Sequence, residues 1–591
     1  MKRTFKKVLS VALCLVVSLT SAVSAVGCGP REEVYDETKV NLQVVAYDGG
    51  YGMDWIEEPA KRFIEKYRDT KFGDKVGVDI HVSVERIMGT QFIHNYGTLD
   101  KDMYFIPGGN YEDFVEAGVL MDLTDVMTEV PEYNTKPGGT NKSIADNLYD
   151  DIEQYLNIDN HYYGIPSHGS GFGFNYDVDM FFNEGLYFKD GYTLAGPYSL
   201  SAFINPIHWE DPAVTANNGK YIASRVRDEG TYLVNGQKLS IGPDGVYGTQ
   251  DDGEPAYYTD FLNLCRYMKM VKGINPVTFM HGAELYVYST ADSLAIDHMG
   301  PVNAVANRDF EGTIDIVTGW NGNTPIVEPY TIDTTNAASR INVFKNDGYY
   351  WASYLIHQLF ANQYYISKVT QEYTHLDAQY DLILSSSRNI GNNDRVGFLM
   401  DGAYWEHESL QNNLFKDAVD YTGDEYFAYE NRSFKLLASP KVDGTELRKE
   451  TLMGAGGTYG VILDKVEDKG PEVVEVAKLF YQYLFSDEGN QIYTEKTSLC
   501  RSMYFPTDME TMTPYGQALA ELYNGGANVI NSMTDKDWVR LNEKVTGSKW
   551  SIVYEDVDYD RIMIDVFLNK KNITARDYFE GIYNRQIKKV V

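Results

Sequence analysis

The chain has 591 residues and carries 85 acidic against 52 basic side chains, a formal net charge of -33. Phosphate backbones are bound through Lys and Arg, so this balance excludes nucleic acid as a partner, and an anionic membrane surface would repel the folded body. One hydrophobic core does not serve a chain of this length, and two or more large lobes are expected.

The first segment reads as a targeting signal. Lys2, Arg3, Lys6 and Lys7 precede an apolar run from Val8 to Leu19. The run is shorter than the ~20 residues a membrane span needs and has the flanks of a secretory core region. Two cleavage readings compete. Val23-Ser24-Ala25 suits ordinary signal peptidase, whereas Ala25-Val26-Gly27-Cys28 is similar to a bacterial lipobox, with Ala where Leu is usual. On the second reading residues 1–27 are a signal peptide and Cys28 takes a diacylglycerol. The acidic stretch 28–37 is then a solvated tether, and the protein is held at the outer face of a membrane.

Cys28, Cys265 and Cys500 remain after such processing, too few for a disulfide framework. Cys265 falls in an apolar helical pattern and reads as core; its pairing with Cys500 stays open. No CxxC, HExxH, Walker or GxSxG pattern occurs. Glu406, His407 and Glu408 are consecutive, so a helix aims them in three directions. No metal site and no cofactor are expected.

An α/β pattern opens at Lys39. "KVNLQVVAY" is a strand, and Asp48-Gly49-Gly50-Tyr51-Gly52 is its exit loop. Trp55, Ile56, Ala60, Phe63, Ile64 and Tyr67 then share a helix face, with Asp54 and Glu57 placed for a capping box. "VGVDIHVSV" is a second strand, and Asp102–Leu120 reads as strand, Gly-rich loop and helix, with Gly118 as C-cap. Such order makes an open α/β sheet, with ligands at the loops off the carboxyl ends of its strands. "YYGIPSHGSGFGFNYDVDMFFNEGL", Tyr162–Leu186, reads as strand, Pro, flexible residues, strand and helix.

That last segment resembles the hinge crossing of the extracellular solute-binding proteins (family 1-like) of carbohydrate ABC importers. Other segments resemble the same family in the same order. These are "YDGGYGMDWIEEPAKRFIEKY", "DMYFIPGGNYEDFVEAGVLMDLTD", "VGFLMDGAYWEHES", "ASPKVDG", and "TYGVILDK" with the helices after it. The resemblance implies a periplasmic-binding-protein-like (type II) fold, two α/β lobes joined by a hinge around a ligand cleft. Mapped onto this chain, lobe one is 38–164 plus 441–502 and lobe two is 165–440 plus 503–591. An insertion at about 186–257 matches no simple α/β alternation.

The function implied is capture of a carbohydrate, an oligosaccharide, by hinge closure and its delivery to the permease subunits. The chain would act as a monomer and would not be an enzyme. A sensor or adhesin on the same fold, a binder of a non-sugar solute, and a secreted glycosidase stay open as alternatives, since fold alone does not settle function.

Trp405 stands where the family carries its sugar-stacking Trp, beside Tyr404. Asp48, Tyr51 and Asn110 sit at strand ends of lobe one, and Ser167 and His168 follow the hinge Pro166. Trp320 and Asn321 could line the cleft from a loop, in a segment (308–346) with no strong period. Thr458 and Arg501 lie near the closing crossings, Arg501 as ligand clamp or lobe–lobe ion pair. In the insertion, Asn235-Gly236 is a hairpin signal. Asp244, Asp251 and Asp252 sit among glycines and suit a solvated turn or, less well, calcium.

Overall fold

The computed structural model describes residues 35–591 except 109–110, 169–170, 193, 195–199, 207–213, 218–219, 224–225, 229–230, 235, 283, 362–364, 368–371, 387–394, 455–457, 507, 532–548, 555–556, 560–562, 570–571 and 591. Cys28, with the signal and most of the tether, and Asn110 lie outside the described residues.

Two sheets organise the chain. The first has five strands in the order Val78–Val84, Val40–Ala46, Met103–Pro107, Thr458–Ile462, Gly164–Pro166. Its first three strands run parallel, and Thr458–Ile462 returns antiparallel to both neighbours. All five residues of Met103–Pro107 are buried, as expected of a central strand covered on both faces. Helices Asp54–Lys66 and Pro471–Leu484 pack against this sheet. The first buries Trp55, Ile56, Ala60 and Phe63, as its periodicity predicts. Its predicted capping box is not formed: Met53 is the cap residue and makes no side-chain bond. Gly118 follows helix Tyr111–Glu116 with φ +62°, the left-handed turn that glycine makes without strain.

The second sheet has the order Asn275–Thr278, Val396–Gly402, Phe172–Asp177, Phe434–Leu436. Asn275–Thr278 and Val396–Gly402 are parallel, and Phe172–Asp177 is antiparallel to both its neighbours. Its core gathers Phe174, Phe181, Phe261 and Phe398. Asp177 caps helix Val178–Glu184 and pairs with the buried Arg432, tying the Phe172 and Phe434 strands together.

The chain passes from the first sheet to the second between Pro166 and Phe172 and back between Leu436 and Thr458. On the return it forms strand Thr451–Gly454, which pairs with Asn528–Asn531 and belongs to neither large sheet. A third passage links helix Asp487–Thr497, packed on helix Asp54–Lys66, to helix Pro514–Asn524, packed on Phe434–Leu436. Beside these crossings Asp151 of the first lobe accepts from Arg308 and from Asn531 N of the second. The fold is therefore the hinged pair of α/β lobes that the resemblance implies.

Two loop expectations change. The segment 308–346 is not loop-rich: Thr313–Asn321 and Thr324–Thr331 form an antiparallel hairpin. Asp244, Asp251 and Asp252 do not make a solvated turn. Asp251 and Asp252 are buried, and their carboxylates accept from Asp244 N, Thr249 Oγ1 and Gly248 N. The carboxylates hold the loop's own backbone, and no metal-binding group of three or more His, Cys, Asp or Glu exists among the described residues. Around position 235, Val234 pairs with Gln237. Cys265 and Cys500 are both free and buried, which answers the question of their pairing and agrees with Cys265 as a core residue.

Candidate functional site

The cleft mouth is built from two strand exits. Loop 47–52 leaves the Val40 strand, and helix Trp405–Gln411 follows the Val396 strand across the gap. They touch. A Cβ on Gly50 would stand 3.2 Å from Glu408 Oε1 and 3.4 Å from Tyr404 Cδ2. A Cβ on Gly52 would overlap the Gln411 amide and lie 2.9 Å from His407 Nε2. Both glycines have positive φ, +92° and +68°, so glycine permits both the backbone conformation and the close approach. Asp48 and Asp54 of lobe one act on His407 across the seam, while burial holds its pKa below the usual imidazole value.

Behind the mouth lies an aromatic corner. Phe172 is 6.0 Å from Tyr404, edge-on, and 6.4 Å from Tyr286. The Tyr286 and Tyr404 side chains also lie close enough to act on each other electrostatically. Two carboxyl groups back this corner. Gln379 Nε2 donates to Asp401 Oδ2 at 3.1 Å and to Glu408 Oε2 at 2.8 Å, and its Oε1 accepts from Ser409 Oγ at 3.0 Å. Gly402 N donates to Asp401 Oδ1 at 2.7 Å. His375 Nε2 lies 3.5 Å from Glu408 Oε1. Burial is the main force on Asp401, and the neighbouring Glu408 charge adds to it; together they push the carboxyl up to about 8.

Phe172 also lines a cavity of 310 Å³ between the crossings, with Phe174, Ser289, Thr290, Leu436 and Met453. Thr290 is 1% exposed, and its hydroxyl has no hydrogen-bond partner among the described residues. Buried hydroxyls are normally bonded, so this one is an open valence on the cavity wall. The volume lies at the small end of ligand pockets.

The predicted site residues fall into three groups. Asp48 and Tyr404 stand at the mouth, Asp48 exposed and Tyr404 half-buried. Tyr51, Ser167, His168, Thr458 and Arg501 form one cluster in lobe one at the crossings. Tyr51 stacks on His168 at 3.9 Å, and His168 Nδ1 is 2.9 Å from the Tyr493 hydroxyl. Ser167 N and Oγ donate to Thr458 O at 2.8 and 3.1 Å. Burial, aided by Arg501, drives the His168 pKa well below 6.5.

Three predicted placements are overturned. Arg501 is neither clamp nor ion pair. It is 1% exposed, donates to Ser167 O, Leu484 O and Asn490 Oδ1, and lies over the rings of Tyr493 and Phe485 at 4.2 and 4.5 Å. No carboxylate pairs with it among the described residues, and burial lowers its pKa to about 10. Trp405 is not a surface platform: it is 0% exposed, with its ring edge-on to Phe434 and Tyr515. Trp320 and Asn321 are not in a loop: they end a hairpin strand, and Trp320 packs on Tyr350 and Phe579 beneath Arg576.

Phe172, Tyr286, Gln379, Asp401 and Glu408 were not predicted. "WEHES" carried part of the signal. Glu406 turns to Thr513, His407 to lobe one, and Glu408 to Gln379, the three directions expected of consecutive helical residues. One of those directions is the cleft.

No protein-family model and no curated protein sequence matches the chain. Solved structures do. A chitin oligosaccharide binding protein is 12% identical over 93% of this chain and 99% of its own, with TM-score 0.48. Maltose-bound MalE3 of T. maritima is 11% identical over 93% and 100%, also at 0.48. A binding protein of an ABC transporter from Bifidobacterium animalis subsp. lactis, in complex with mannobiose, is 10% identical over 93% and 95%, again at 0.48.

Proposed function

We propose that this protein is the solute-binding subunit of an ABC importer, that it closes its two lobes on a carbohydrate, and that it hands the carbohydrate to a permease. The observation that carries the reading is the seam itself. The Gly50–Gly52 loop of one lobe rests on helix Trp405–Gln411 of the other, above an aromatic corner and a cavity with an unbonded hydroxyl. A pyranose offers an apolar face to such rings and hydroxyls to such polar groups, and closure by hinging suits chain crossings gathered at one place. On this reading the chain binds its ligand and does no chemistry on it, and recovery of the sugar unchanged is what separates it from a glycosidase.

Cys28 would carry the lipid, so the trap works beside its permease at the extracytoplasmic face. The test is a thermal-shift screen of the mature protein against mono- and oligosaccharides. A ligand at a hundredfold excess over Kd stabilises the folded state by about 2.7 kcal/mol. A shift with one sugar class, and recovery of that sugar unchanged, is expected. A flat response to every sugar would overturn the reading.

A further inference from the structure

We propose that the captured carbohydrate is an aryl glycoside, with its sugar at the seam and its aromatic aglycone, bearing one hydroxyl, in the 310 Å³ cavity behind Phe172. This inference rests on the carbohydrate-binding reading and narrows it. Phe172 joins the two parts of the site. Its ring meets Tyr404 edge-on at 6.0 Å at the mouth and also lines the cavity. At the small end of ligand pockets, the cavity has room for a ring or two and not for a whole oligosaccharide.

The wall says what kind of ring. Phe174, Leu294, Leu436, Leu437 and Met453 give it an apolar lining. Its polar side chains are engaged within the protein. Asp292 is held by Lys549 at 3.0 Å and by Trp550 Nε1 at 2.6 Å, and Glu450 accepts from Ser439 N. Ser293 Oγ donates to Ser289 O at 3.1 Å, and Thr451 Oγ1 accepts from Arg448 Nη1 at 3.3 Å. Of the buried side-chain polar atoms on this wall, among the described residues, Thr290 Oγ1 alone has no partner.

A sugar ring carries a hydroxyl on nearly every carbon, and each one that leaves water unpaired costs affinity. One open hydroxyl on an apolar wall cannot meet that demand. It does meet a flat apolar ring with a single hydroxyl: the ring packs on the Phe and Leu side chains, with Phe172 and Phe174 as aromatic neighbours, and the hydroxyl bonds Thr290. The sugar itself then stays at the wetter mouth, where its other hydroxyls keep water or reach the seam.

Calorimetry on the mature protein at pH 7 tests this with the methyl, phenyl and ortho-, meta- and para-hydroxyphenyl β-glycosides of glucose, galactose, cellobiose and lactose. For each sugar that binds, the phenyl form is expected to bind at least about tenfold tighter than the methyl form, with a more negative heat-capacity change. One hydroxyphenyl isomer should gain about fivefold more, and Thr290→Val should bring it level with phenyl. Ser293→Leu fills the cavity and should cut the phenyl-to-methyl ratio to about threefold or less. Met453→Phe serves if that variant fails to fold. Equal binding of phenyl and methyl partners, an unchanged ratio in a folded filling variant, or plain saccharides binding while no aryl glycoside gains, overturns the aglycone assignment and leaves the saccharide reading standing. A hydroxyphenyl gain that survives Thr290→Val overturns the role given to Thr290. Failure of every saccharide and glycoside overturns both readings.

Discussion

Gly52 of lobe one lies directly against His407 of lobe two, so close that an added Cβ would stand 2.9 Å from His407 Nε2 and overlap the Gln411 amide beside it. Lobe-one backbone meets the tips of lobe-two side chains here, so an added Cβ makes the exposed Gln411 amide swing aside and presses on the half-buried His407 ring. Gly52→Ala is expected to hold the cleft ajar. Ligand affinity should fall at least about tenfold, because the closed state must be populated for tight binding. Small-angle scattering of the ligand-saturated variant should show a larger radius of gyration than the native complex. Stability should drop by about 1 kcal/mol from the positive φ alone, too little to unfold the lobes. Native affinity in Gly52→Ala would show that this contact does not govern closure.

Trp405 separates core from platform. Its ring is wholly buried between Phe434 and Tyr515, so Trp405→Ala should cost about 3–5 kcal/mol of folding stability. Denaturant titration measures this. A platform role would leave stability near native and remove ligand affinity instead, the opposite outcome.

Much of the fold was legible because it is written in local signals. The Val40 strand, the Trp55–Phe63 helix face, the Asp102–Leu120 unit with Gly118 at its end, and the passage through Pro166 all carry period, burial and turn residues within a few positions. The site was less legible. Asp401, Glu408 and Gln379 are brought together by the pairing of strand and helices far apart in the chain, and no spacing announces an amide shared by two carboxyls. Trp405 misled because a Trp after a strand and a Gly turn can face the cleft or the core. The choice is made by Phe434 and Tyr515, which arrive from elsewhere in sequence. Trp320 misled for the opposite reason: Gly322-Asn323 is a hairpin turn, with Gly322 at φ +63°, and it pairs the strand of Trp320 with Thr324–Thr331 where a loop was expected.

Arg501 is a cation held without a carboxylate. Three oxygen acceptors and two rings satisfy it, although its Nη2 is buried without a partner. Arg501→Met keeps the length and removes the charge, but strands Ser167 O and Leu484 O at the crossings. The expected loss is about 2–4 kcal/mol, from acceptors left unmet in a dry interior. Equilibrium unfolding should show it, and Arg501→Lys should recover less than half, since a single ammonium cannot reach acceptors spread around a planar fork. A neutral effect of Arg501→Met would mean that water replaces the guanidinium freely.

If Cys28 carries a lipid, Cys28→Ala should move the protein from the membrane fraction of producing cells to the medium. Detergent partitioning of the native chain and aqueous partitioning of the variant are the paired readouts. Equal distribution of the two would remove the anchor while leaving the cleft reading untouched.

Asp401 gives the protein a pH dependence of definite sign. Unfolded, its carboxyl titrates near about 3.9; folded, burial and Glu408 hold it up to about 8. Below the lower value both states carry the proton and the group contributes no slope. Between the two values the native state alone keeps it, so the unfolded state binds fewer protons and stability falls as pH rises. Above the upper value the native carboxyl is charged and buried, and the full penalty is present. Melting temperature without ligand should therefore decline from about pH 4 to pH 8 more steeply in the native chain than in Asp401→Asn. The variant should be the less affected of the two at pH 9, by a few degrees. Parallel melting curves for the two proteins across this range would mean that Asp401 ionises normally.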